Sequence, residues 1–270
     1  MPSALPFIRE AGSGPSVVCL HSNASSSSQW RGLMDMLSPR FRVFAPDCYG
    51  AGKSADWSSD QTISLDAEVD FIEPVLSAAG EPYFLVAHSY GASVALKVAL
   101  KEPRRVRAMV LYEPTLFSLI DADSARPNAA DGIRQAVQAA GGALDDGDSS
   151  RAAKHFIDYW TGPQGWDNTP DSKKGPITAS VVNVRRWGHA LLTEPTALHA
   201  FKALDIPVLY MVGKLTTESA LGVTRLLTAV LPRVEVIEFD GLGHMGPITH
   251  PQLVNEAIAA FLDKHSVGFT

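Results

Sequence analysis

Short apolar runs alternate along the chain with segments whose apolar residues recur every three or four positions. The runs are SVVCLHS (16–22), FRVFAPD (41–47), PYFLVAHS (82–89), VRAMVLYE (106–113), IPVLYMVG (206–213) and VEVIEFD (234–240). Their continuous apolarity predicts strands covered on both faces, as in a parallel sheet. Between them, Trp30, Leu33, Met34 and Leu37 fall at helical spacing until Pro39, which cannot continue a helix. Segments 64–79, 90–101 and 219–231 also read as helices. Leu253, Val254, Ala257, Ile258, Phe261 and Leu262 trace a broad apolar face on a last one. Strand and helix in alternation predict an α/β fold with a mostly parallel sheet flanked by helices.

The alternation breaks between about 117 and 202. A single crossover helix needs far fewer residues than this stretch contains. It holds helical patches at 130–140, 150–160 and 177–192, separated by turn clusters such as GGALDDGDSS and TGPQGWDNTP. Because strands and helices resume afterwards, the stretch predicts an inserted helical cap. The expected division is a core of 1–116, a cap of 117–202 and the rest of the core at 203–270.

Composition narrows the classes. The chain has 270 residues, 46% hydrophobic and 19% charged, which is ordinary for a globular protein. A formal charge of −6 gives no electrostatic reason to bind nucleic acid or an anionic membrane. No apolar stretch has the roughly 18 residues of a membrane helix, and MPSALPFIREAGSG lacks the basic start and apolar centre of a secretion signal. Cys19 and Cys48 are the two cysteines, without CxxC or His/Cys ligand spacing. They read as free thiols of a reducing, cytoplasmic protein without a metal site.

AHSYGAS (87–93) joins a strand to a helix and has the form A-x-S-x-G. A serine on such a sharp turn needs small neighbours, and the helix behind it offers N–H groups and a positive dipole end to an oxyanion. Ser89 is thus the expected nucleophile. Of eight histidines, His244 in GLGHMGP follows the last strand, where flanking glycines give an imidazole room, and it is the expected base. Lys53 in AGKS lacks the spacing of a phosphate-binding loop.

Four segments together resemble the α/β-hydrolase superfamily: AHSYGAS, LHSNASSSSQW (20–30, with Ser22 where glycine is usual), APDCYGAGKS (45–54) and GLGHMGP (241–247). The resemblance covers nearly the whole chain outside the cap. It implies a cofactor-free serine hydrolase in which the backbone N–H groups of Asn23 and Tyr90 form the oxyanion hole. Asn23 could also donate through its side chain, as in the similar loop of haloalkane dehalogenases, whose nucleophile is aspartate instead. Asp47 is expected to bond loop backbone around Tyr49 to Gly52.

The acid that orients the histidine is where the pattern departs. Many α/β-hydrolases carry it three residues after the glycine ending the strand that follows the cap. That glycine is Gly213, and the third residue is Thr216. Glu113, ending the strand before the cap at a place some family members use, is the preferred candidate. Glu218, two residues late on the same loop, and a Ser-His dyad without an acid remain open. Trp160, Trp166 and Trp187 are expected to line an apolar pocket under the cap. The expected substrate is a small or medium carboxylic ester or lactone. Alternatives are hydrolysis of a carbon–carbon bond in a ring-cleavage product, a ligand-binding protein with a degraded site, and cofactor-independent peroxidation of halides.

Overall fold

In the computed structural model, which describes residues 5–57 and 62–266, seven strands form one sheet in the order β1-β3-β2-β4-β5-β6-β7. They are β1 Ile8–Ala11, β2 Ser16–Leu20, β3 Arg42–Pro46, β4 Tyr83–His88, β5 Val106–Tyr112, β6 Val208–Gly213 and β7 Val234–Phe239. β1 pairs antiparallel with β3, and every other pairing is parallel. The α/β-hydrolase architecture expected from the sequence is therefore present. β1 was not foreseen, because four residues including Arg9 and Glu10 carry no apolar run. β7 differs as well. It is the far edge and leaves Glu235, Val236 and Glu238 exposed, whereas the expectation was cover on both faces.

The helices are α1 Arg31–Leu37, α2 Leu65–Ala79, α3 Tyr90–Lys101, α4 Ser118–Asp123, α5 Asp131–Asp145, α6 Ser149–Thr161, α7 Asp171–Val181, α8 Val184–Leu192, α9 Glu218–Thr228, α10 Gly246–Thr249 and α11 Pro251–Ser266. The patch expected over 177–192 is two helices, since the chain turns at Val182 and Asn183. Side chains alternate along each strand, so one strand feeds two cores. Val17 and Cys19 pack with Trp30, Leu33, Ile258 and Leu262 of the α1–α11 side. Val18 and Leu20 pack with Ile72, Val75, Val94 and Val223 of the α2–α3–α9 side. Helices α4 to α8 fill the excursion between β5 and β6, and their apolar residues continue this second core. Among the described residues, no helix is long and apolar enough to cross a membrane.

Register fixes what meets at the carboxyl ends of the strands. His88 pairs with Tyr112, and Tyr112 pairs with Met211. The next residues of β4 and β5, Ser89 and Glu113, therefore leave the sheet side by side. Gly213 of β6 lies beside Glu113. Sites of open α/β sheets form at this edge.

Candidate active site

Ser89 stands between β4 and α3 with φ 56° and ψ −117°. A non-glycine residue there costs about 1–3 kcal/mol and persists only when its surroundings hold it. Here the Ser89 N–H donates to the Tyr112 carbonyl (2.9 Å), and its own carbonyl accepts from Ser93 N–H (3.1 Å). Gly91 lets α3 approach the end of β2. A Cβ at that position would lie 2.5 Å from the Leu20 carbonyl oxygen and 2.6 Å from that of His21. The approach brings the α3 N-terminus beside the loop that carries Asn23.

His244 is 1% exposed and joins two partners. Its Nε2 lies 2.8 Å from Ser89 Oγ, and its Nδ1 lies 2.7 Å from Glu113 Oε2. A carboxylate only accepts, so Nδ1 carries the proton and Nε2 faces the hydroxyl as acceptor. Glu113 is fully buried and, like Ser89, has positive φ, 45°. Its Oε1 accepts from Gly213 N–H (2.8 Å) and its Oε2 also from the Thr216 hydroxyl (2.7 Å). The threonine where an acid was expected is thus a donor to the carboxylate of the neighbouring strand. Glu218 is exposed in the first turn of α9, whose cap is Thr217. Asp240 is exposed and pairs with Lys214 at 2.7 Å.

A second layer holds the histidine loop. The His244 carbonyl accepts from His88 Nε2 (2.8 Å), and the Gly243 carbonyl accepts from the Tyr112 hydroxyl (2.8 Å). His88 Nδ1 accepts from the Gln29 amide (3.1 Å), and Gln29 Oε1 accepts from the N–H and hydroxyl of Ser22. This network ties the Asn23 loop to the His244 loop. Burial first, then repulsion from His244, holds the His88 imidazole well below its usual pKa. It stays neutral and keeps the one tautomer that fits both partners. His21, lowered chiefly by burial, donates to the Ser22 carbonyl and accepts from Cys48 N–H. Asp47 accepts from Ser27 N–H (2.6 Å) and Lys53 N–H (2.9 Å), so it holds its own loop just past the expected 49–52 stretch and ties it to the loop after β2, while Tyr49 N–H donates to Glu68 instead. His155, His189, His199 and His250 are exposed.

Above Ser89 lies a narrow, partly open cavity. Its polar wall is Asn23, Ser89 and Thr115, and its apolar wall includes Phe117, Phe156, Trp160, Trp187 and Leu191. Among the described residues, none that lines it is charged. Tyr90 opens α3, where first-turn N–H groups lack helical partners. Trp160 and Trp187 are at the cavity, but Trp166 is not among its lining residues. It follows the turn after α6, donates its backbone N–H to Asp158, and has the Lys174 ammonium 5.9 Å over its ring. Spacing could not show this, because the Gly162 turn rotates the chain off the α6 face. Among the described residues, no cluster of His, Cys, Asp or Glu could hold a metal ion.

Sequence reasoning passed over Glu68. It is buried in the first turn of α2, accepting from Tyr49 N–H and the Tyr90 hydroxyl, both at 3.3 Å. Burial raises its pKa from 4.5 to about 8, against the opposing pull of hydrogen bonds from Tyr49, Tyr90 and Cys48. An unfolded chain ionises Glu68 near 4.5, whereas the folded chain keeps the proton until about 8. Stability is thus full below the lower value, falls between the two, and levels off above the higher. Glu68→Gln is expected to match the parent near pH 4.5. At pH 8 it should exceed the parent by about 2 kcal/mol or more, measured by denaturant unfolding across pH.

A family model described as "alpha/beta hydrolase fold" matches residues 15–251. The chain is 37% identical over 108 residues to a pimeloyl-[acyl-carrier protein] methyl ester esterase of Nitrosomonas europaea, covering 40% of each protein. It is 30% identical over 171 residues to lipase LipV of Mycobacterium tuberculosis, covering 58% of this chain and 64% of the lipase. The matched part is thus under two thirds of either relative's length. Among solved structures, an alpha/beta hydrolase enzyme from a Medee basin deep-sea metagenome library superposes with TM-score 0.80 at 15% identity, over 95% of this chain and 94% of that one.

Proposed function

The chain belongs to the alpha/beta hydrolase fold family, and from that premise we propose that it is a serine hydrolase cleaving a small or medium carboxylic ester or lactone. The observation that carries this reading is the hydrogen-bonded line from Ser89 Oγ through His244 to Glu113, lying beneath an uncharged cavity. Ser89 attacks the carbonyl carbon as His244 Nε2 takes its proton. The imidazolium so formed faces the Glu113 carboxylate, and the oxyanion is received by the N–H groups of Asn23 and Tyr90. Collapse expels the alcohol, which takes the proton from His244. Water, deprotonated by the same nitrogen, then releases the acid and restores Ser89.

The helices between β5 and β6 serve as the cap, with α5, α6 and α8 supplying the apolar wall. The narrow, mostly apolar lining favours a short acyl chain over a long one. A carboxylate-bearing ring-cleavage product would require a cation in the lining, and the described lining residues include none. The esterase and lipase activities of the two curated relatives agree with an ester substrate.

A fluorophosphonate probe together with p-nitrophenyl acetate and butyrate tests the proposal. The parent is expected to label once, at Ser89, and to hydrolyse both esters. A chain that neither labels nor hydrolyses is a binding protein with a degraded site.

A further inference from the structure

The indole of Trp160 lies flat on the imidazole of His244, with ring centroids 3.9 Å apart and planes at 23°. Its own orientation is fixed from several sides. Tyr159 meets it edge-on at 4.8 Å, Phe156 packs edge-on and Phe117 stacks, both at 6.3 Å. Tyr159 in turn shares a 2.7 Å hydrogen bond with Ser219, a fully buried residue of α9. Ser219 lies within three residues of Thr216, the hydroxyl that holds Glu113. The partner at the edge of the His244 ring and the partner on its face are therefore anchored to one segment, 216–219.

Resting on the serine-hydrolase reading above, we propose that Trp160 is a positioning residue for His244 as well as a wall of the cavity. With Ser89 and Glu113 on its two nitrogens and an indole on its face, the imidazole has one orientation. When Ser89 attacks, the ring becomes a cation against the electron-rich face of Trp160, within the distance at which such a pair attracts. The same face keeps water off the Ser89–His244–Glu113 line, which strengthens each interaction along it. These contributions act on proton transfer, so they belong to kcat and do not depend on the acyl chain.

The test is steady-state hydrolysis of p-nitrophenyl acetate and butyrate by Trp160→Leu and Trp160→Phe, with thermal midpoints beside them. Trp160→Leu is expected to lower kcat about tenfold, by the same factor for both esters, with KM nearly unchanged. Trp160→Phe, which keeps an aromatic face, is expected to restore most of the loss. Trp160→Met carries the same comparison if the Leu variant does not fold. A loss that falls in KM, or that differs between acetate and butyrate, makes Trp160 a substrate wall only and overturns the proposal. So does a Phe variant no better than Leu. An inactive parent would instead defeat the serine-hydrolase reading, so the two failures are distinguishable.

Discussion

Glu113→Gln is expected to lower kcat/KM for p-nitrophenyl esters by about four orders of magnitude while leaving the fold intact. Both oxygens of Glu113 are engaged as acceptors, one by Gly213 N–H and the other by Thr216 and His244. Glutamine has a single acceptor oxygen. If its NH₂ faces Gly213, two donors collide. If it faces His244, Nδ1 must accept, Nε2 carries the proton, and the ring can no longer take one from Ser89. Glu218→Gln, measured beside it, is expected to match the parent, because that side chain is exposed at the start of α9. Thr216→Asp in the Glu113→Gln background should recover part of the loss, since the Thr216 hydroxyl already sits 2.7 Å from the oxygen that His244 contacts. Parent-like rates in both single variants would replace the triad with a Ser-His dyad.

Ser89→Ala is expected to cost about 10⁶-fold in kcat, and adding Glu113→Gln should cost nothing more. The two residues act through one histidine, so the second substitution removes support from a base that has no nucleophile to activate. Alanine bears the same strained φ of 56° as serine, so the turn and its bonds to Tyr112 and Ser93 remain. The double variant is assayed with the same esters. A further large drop in it would mean that Glu113 acts on something other than His244.

Much of this was legible because it is local. A buried parallel strand writes itself as an apolar run, and the nucleophile turn writes itself as small residues around a serine. His244 was marked by its glycines. Glu113 was harder, because its partners lie at least 98 positions away, at Met211, Gly213, Thr216 and His244, and sequence spacing carries no information about contacts of that range. Thr216 read as a vacancy for the same reason. A hydroxyl counts as a lost charge until the strand register sets it beside a carboxylate. Trp166 shows the limit within the excursion, where aromatic residues are plain to see but the face each one occupies depends on a turn. Glu68 escaped because an acid in the first turn of a helix normally meets solvent, and nothing in LDAE reveals that this one is covered.

The shared position of Thr216 and Glu113 bears on descent. The negative charge comes from the end of β5, and the loop after β6 reaches the very carboxylate oxygen that His244 contacts. A lineage could therefore move its acid from one strand to the next through ancestors carrying both, each of them active, and later let one decay to a hydroxyl that still helps. In this chain the threonine stands at that second place and serves Glu113 as a hydrogen-bond donor.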